Sequence, residues 1–121
     1  MAFRFQNWKV YQDARIFRLE IITLTKTYPK EEKYLLVDQT NRAALSVVLE
    51  IAEGSNRKTE KDKNLFMNRA LTSLDEIIGC LDCALDSKYI IKEQYAVYFE
   101  KAENIARQLR GFSKYISSSY K

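Results

Sequence analysis

The amino-acid sequence predicts an all-α protein, an antiparallel up-down-up-down four-helix bundle that takes up residues 1–121 as a single domain. Apolar side chains recur every three to four positions through four long stretches, the period at which one face of a helix meets a core. One proline and three glycines in 121 residues leave little turn chemistry for a many-stranded fold. With 46% apolar and 30% charged residues, a chain of this length buries roughly two-thirds of its unfolded surface and needs no staple.

The first helix is predicted over about 7–26. Val10, Ala14, Phe17, Ile21, Leu24 and Tyr28 step by fours and threes, the seam of a bundle helix. Tyr28-Pro29-Lys30 ends it, because the residue before proline is driven from the α region. Phe3 and Phe5 precede it as an arm packed on the bundle. The second helix is predicted over about 31–53, with Leu35, Leu36, Ala43, Ala44, Val47, Val48, Ile51 and Ala52 inward. Gly54 is placed to stop it in the left-handed conformation.

Thr59 is the expected N-cap of the third helix, about 60–86, whose inward positions are Phe66, Ala70, Leu74, Ile77, Leu81 and Leu85. Gly79 inside this helix marks an expected close approach of a neighbour. The fourth helix, about 92–117, has the cleanest pattern: Tyr95, Tyr98, Ala102, Ile105, Leu109, Phe112 and Ile116.

Composition restricts location and chemistry. Arg4, Gln6, Asn7 and Lys9 interrupt any apolar leader, and no stretch approaches the ~20 apolar residues of a membrane span. The two cysteines then read as reduced thiols in the cytoplasm. Histidine is absent, which removes Ser-His and Cys-His nucleophile pairs and the Glu-x-x-His ligands of a ferritin-like bundle. Cys80 and Cys83 form a CxxC on a helix, but two thiolates do not complete a zinc site. They read as small, half-buried core residues. Glu50 and Glu53 form one Glu-x-x-Glu pair of the kind that holds Mg²⁺ in all-α nucleotide pyrophosphatases. The second pair is broken, since Ile78 and Gly79 lie three residues beyond Asp75 and Glu76. No catalytic residue, metal ligand or cofactor site is assigned.

The net charge of +4 is mild, but its distribution is uneven. Asp75, Glu76, Asp82 and Asp86 lie in 70–86 without a basic residue, and Arg107, Arg110, Lys114 and Lys121 lie in 104–121 without an acidic one. Arg57, Lys58, Lys61, Lys63 and Arg69 gather around the 2–3 connector, offset by Glu60 and Asp62. Arg107, Arg110 and Lys114 make a stripe on the fourth helix. Basic clusters of this kind neutralise phosphates. The ordinary alternative is an exposed ion pair, for which Glu103 four residues before Arg107 is placed. Trp8, Tyr11, Tyr115 and Tyr120 fall beside the seams, where amphipathic rings favour self-association.

The chain resembles the small bacterial four-helix-bundle family named after proteins encoded in intervening sequences of large-subunit ribosomal RNA genes. The likeness covers nearly the whole chain. It runs through Trp8-Lys9-Val10-Tyr11-Gln12-Asp13-Ala14, Tyr28-Pro29-Lys30-Glu31-Glu32, Gln39-Thr40-Asn41-Arg42-Ala43-Ala44-Leu45-Ser46-Val47 and Ile51-Ala52-Glu53-Gly54-Ser55-Asn56-Arg57. Ala70-Leu71-Thr72-Ser73-Leu74-Asp75-Glu76 resembles its Ala-x-x-Ser-x-x-Glu segment. The family usually has Asn before Ile-Ala-Glu-Gly, where this chain has Glu50.

The resemblance implies an antiparallel bundle, often a ring-like homopentamer, with no established enzymatic activity. The chain is also similar to the accessory protein of diversity-generating retroelements, a basic pentameric bundle that binds nucleic acid and a reverse transcriptase. That likeness points first to Arg42, Arg57 and Lys58, while Gln39, Glu53, Ser73 and Glu76 read as a polar network tying helices 2 and 3. The leading expectation is a non-enzymatic homo-oligomer that contacts structured RNA or DNA through Arg42, Arg57, Lys58, Lys61, Lys63, Arg107, Arg110 and Lys114. A protein-interaction scaffold without a nucleic-acid role is the second reading, and a Mg²⁺-dependent nucleotide hydrolase the third.

Overall fold

The computed structural model describes the backbone of residues 2–119 and the side chains of residues 2–112. Four helices form: α1 Lys9–Thr25, α2 Leu36–Ser55, α3 Glu60–Asp86 and α4 Lys92–Ser119. No strand occurs among the described residues. α1 packs on α2, α2 on α3 and α3 on α4, and α4 closes against α1, giving the antiparallel four-helix bundle that the periodicity predicts.

The seams account for the core. All six positions of the first seam are buried, as are Ala70, Leu74, Ile77 and Leu81 of α3 and Ala102, Ile105 and Leu109 of α4. Each Ile or Leu sealed away contributes roughly 1.5–3 kcal/mol of transfer free energy. Thr25, Thr40, Met67, Ser73, Ala84 and Ile90 are buried as well, outside the predicted seams. The threonines fit because their hydroxyls donate to their own helix, Thr25 to the carbonyl of Ile21 (3.0 Å) and Thr40 to that of Leu36 (2.6 Å).

The helix ends depart from expectation at the starts of α1 and α2 and at the stop of α2. α1 starts at Lys9 instead of residue 7, because Trp8 is extended (φ −72°, ψ 131°) and Arg4–Asn7 form a separate 3₁₀ turn. α2 starts at Leu36 instead of residue 31, because Lys30–Glu32 form another 3₁₀ turn, which Tyr89 fastens by donating its hydroxyl to Glu32 (2.8 Å). Leu35, expected inside, is therefore 67% exposed.

Gly54 does not terminate α2 in the left-handed region. No glycine has positive φ, and the helix continues through Ser55. Gly54 is instead the site of close approach: a Cβ there would lie 2.6 Å from Phe66 Cβ and 2.8 Å from Met67 Cε. Gly79, expected to have that role, faces open space. The left-handed residue is Lys88 (φ 63°), just past α3. The amide of Tyr89 donates to Ala84 O (2.9 Å) and that of Lys88 to Leu85 O (3.0 Å), a Schellman stop. Thr59 does cap α3, its hydroxyl accepting from the Asp62 amide at 3.1 Å.

Asp13 joins the first helix to the last. Its Oδ2 accepts from Lys9 Nζ (2.6 Å), Gln108 Nε2 (2.8 Å) and Asn104 Nδ2 (3.1 Å). Partial burial raises its pKa, but these three donors outweigh that and hold the carboxyl below its ordinary value.

Candidate nucleic-acid interface

The corner where α2 turns into α3 collects the basic residues of the connector. α2 ends at Asn56 (φ −103°, ψ 11°), and three residues later the Thr59 cap starts α3. Gly54 draws the two helices together, so Phe66 of α3 reaches the end of α2. Arg57 lays its guanidinium over that ring at 4.2 Å and Arg69 approaches it at 4.8 Å. Two cation–π contacts on one buried ring give Arg57 a defined position instead of a solvated sweep.

The arm completes the site. Phe3, Arg4, Phe5 and Trp8 face Arg57 and Lys63 across a cleft of about 780 Å³, and Glu53 is the carboxylate on its wall. The arm is fixed: the Trp8 amide donates to Phe5 O (2.9 Å), Gln12 Nε2 donates to Gln6 O (3.1 Å), and Phe5 meets Tyr11 edge-on at 4.9 Å. Trp8 packs on Phe112 with centroids 5.4 Å apart. Trp8 and Tyr11 are therefore half-buried, each with one face against the fold.

Among the apolar side chains left exposed are Ile16 and Leu19 of α1 and Leu45 and Leu49 of α2. Ile16, Leu19 and Leu45, with Arg15 and Arg18, line a groove of about 540 Å³.

Glu50 lies behind the corner. Its Oε2 is buried without a hydrogen bond. Burial first, and Glu53 second, push its carboxyl upward, while Arg69 and Arg57 act the other way. The carboxylate thus takes up part of the field of both arginines.

The predicted site residues separate into distinct groups. Arg57 and Lys63 share the cleft, Lys63 also meeting Glu60 at 3.7 Å, and Lys58 is exposed on the connector between them; Lys61 is exposed on the first turn of α3. Arg42 lies elsewhere, on the outer face of α2, paired with Asp38 at 3.0 Å. On α4, Arg107 pairs with Glu100 at 2.9 Å and Arg110 with Glu103. The expected Glu103–Arg107 pair does not form, because each guanidinium reaches back two turns instead of one. The two arginines of the stripe are thus paired within their own helix. Lys114, Tyr115, Ile116 and Tyr120 lie outside the described residues.

The polar network between α2 and α3 is two separate links. Gln39 Nε2 donates to Glu76 Oε2 (2.9 Å) and Ser73 Oγ to Ser46 Oγ (3.0 Å). Glu53 joins neither and faces the cleft. Of the cysteines, Cys80 is buried, with its thiol pushed up by burial first, but Cys83 is exposed, not half-buried as expected.

The chain that forms this bundle corresponds to a known group of proteins. The model of the 23S rRNA-intervening sequence proteins matches residues 6–111. The chain belongs to that family. Its fold is similar to that of a protein of unknown function from the S23 ribosomal protein family of Bacteroides thetaiotaomicron, with TM-score 0.80 and 24% identity over 87% of this chain and 98% of that one. No curated protein matches the sequence. No helix among the described residues is long and apolar enough to cross a membrane.

Proposed function

We propose that the chain is a non-enzymatic, cytoplasmic, self-associating bundle protein that binds structured RNA or DNA through the α2–α3 corner. The observation that carries this reading is the convergence of Arg4, Arg57 and Lys63 with three aromatic rings on one cleft whose wall has a single carboxylate. Lys58 and Lys61 extend the same positive surface along the connector. Arg42, Arg107 and Arg110 are secondary, since they lie away from the cleft and are held at 3.0 Å or less by acidic partners, whereas Lys63 lines the cleft and meets Glu60 only at 3.7 Å. Self-association, as the homopentamer implied by the family likeness, has its apolar support in the groove of Ile16, Leu19 and Leu45.

The test is binding of a fluorescently labelled RNA across a salt series. Three phosphate contacts on single-stranded RNA give a slope of about −2 in log affinity against log salt. Arg57→Ala with Lys63→Ala flattens that slope, whereas Arg107→Ala with Arg110→Ala leaves it nearly unchanged. No salt-dependent shift at micromolar protein in low salt refutes the reading. Tyr34 and Leu35, both exposed beside the second 3₁₀ turn, favour a second reading, the docking of a protein partner. One partner retained after nuclease treatment, with loss on Leu35→Asp, supports it.

A further inference from the structure

We propose that the corner cleft receives an unpaired nucleotide of a nucleic-acid strand, its base against the aromatic arm and its phosphate against Arg57 and Lys63. This rests on the nucleic-acid reading above and narrows it from contact with a phosphate backbone to capture of a splayed base.

Cations alone serve a duplex, whose bases are stacked and offer no free ring face, so aromatic walls add nothing there. Here the cations share their cleft with Phe3, Phe5 and Trp8. Base–aromatic stacking is the contact that uses both. Phe3 is 64% exposed, although the arm that carries it is held by main-chain and ring contacts and is no loose coil. A fixed, exposed phenyl ring next to Arg4 is a platform at which water is the poorer partner. Arg57 is set in advance by the Phe66 ring, which lowers the ordering needed when a phosphate arrives. The cleft, about 780 Å³, is of the size that encloses a small ligand (~300–1,000 Å³) and not the rounded side of a duplex. Glu53 supplies an acceptor for a ribose hydroxyl or a base amino group.

Trp8 is the one tryptophan of the chain, so its fluorescence reports on the cleft directly. The probes are octauridylate, an abasic ribose-phosphate strand of the same length, an eight-base-pair RNA duplex, and uridine monophosphate. Octauridylate quenches Trp8 and binds about tenfold or more tightly than the abasic strand, the scale of one base–aromatic stack. Phe3→Ala abolishes that ratio without changing the melting temperature or the affinity for the abasic strand, and Phe3→Tyr retains it. Equal affinity for base-bearing and abasic strands overturns the inference while leaving backbone binding intact. A duplex bound as tightly as the single strand, or a mononucleotide bound as tightly as octauridylate, also overturns it. Failure of every probe to bind removes the underlying reading as well.

Discussion

Replacing Gly54 with alanine sets two effects of comparable size against each other. The residue is in right-handed helical backbone, so alanine gains up to ~1 kcal/mol of helix propensity. Against this, the new methyl would lie 2.6 Å from Phe66 Cβ and 2.8 Å from Met67 Cε. Carbon atoms rest at about 3.5–4.0 Å. The methionine methyl has rotatable bonds and moves aside, but Phe66 Cβ is fixed to the α3 backbone, so the helices must part by about 1 Å. Overpacking of this kind costs ~1–3 kcal/mol, and the net expectation is a loss of about 1–2 kcal/mol.

Gly79→Ala is the control. It meets nothing within 4 Å and keeps the propensity gain of about 0.5–1 kcal/mol. In thermal unfolding followed by circular dichroism, Gly54→Ala melts lower by roughly 4–8 °C and Gly79→Ala a few degrees higher. Gly54→Ala also displaces the Phe66 ring under Arg57, so RNA affinity falls with stability. If both variants shift the melting temperature upward, the close approach at the corner is refuted.

Four further outcomes follow from buried or strained groups. Tyr28→Phe removes a hydroxyl that is buried without a partner and gains about 1 kcal/mol in a urea titration at neutral pH. Burial first pushes that phenol up to about 12, so wild-type stability is unaffected by its titration below the ordinary 10.0 and falls as pH rises from there through about 12; the variant lacks this alkaline decline. Glu50→Gln melts above the wild type at pH 7. The Glu50 carboxyl is raised above its ordinary 4.5 by burial first and then by Glu53, so the wild-type penalty disappears as pH falls through the raised value, and the two proteins converge in acid.

Asp13→Ala costs about 2 kcal/mol, the scale of hydrogen bonds to a charged acceptor. Because the Asp13 carboxyl is held below its ordinary 3.8, that stability is present above 3.8 and is lost as pH falls through the lower value; acid titration of both proteins checks it. Lys88→Gly relieves a side chain held at φ 63° and raises stability by about 0.5–1 kcal/mol, read from the urea midpoint.

Much of the fold was legible because a seam needs only local periodicity. The first seam, Val10 to Tyr28, is buried throughout. The helix ends were less legible because distant partners set them. Glu31 and Glu32 after Pro29 suit a helix start, yet Tyr89, far along the chain, fastens Glu32 into a different turn. The roles of Gly54 and Gly79 were exchanged, since a missing side chain reads alike in a tight crossing and on an open face.

At the site, local composition revealed Arg57 and Lys63 but not what gives them a shared cleft. Phe66 read as core; Arg69 one turn beyond it is a local neighbour, but nothing on α3 announces Arg57 as a second guanidinium partner. The alternation Phe3-Arg4-Phe5 was the available signal for the arm as a cleft wall. Which glutamate holds Arg107 was invisible because an arginine side chain is long enough to choose between one turn and two.

The tie made by Asp13 has a kinetic side. Its partners Asn104 and Gln108 stand 91 and 95 positions further along the polypeptide. While the protein is being synthesised, the first helix therefore waits for the last before its polar lock can close. Until then the flank of α1 that α4 will cover stays wet, and nascent chains crowded on neighbouring ribosomes risk pairing through it. A late-arriving fourth helix thus makes slow or interrupted synthesis the moment of greatest danger for this fold.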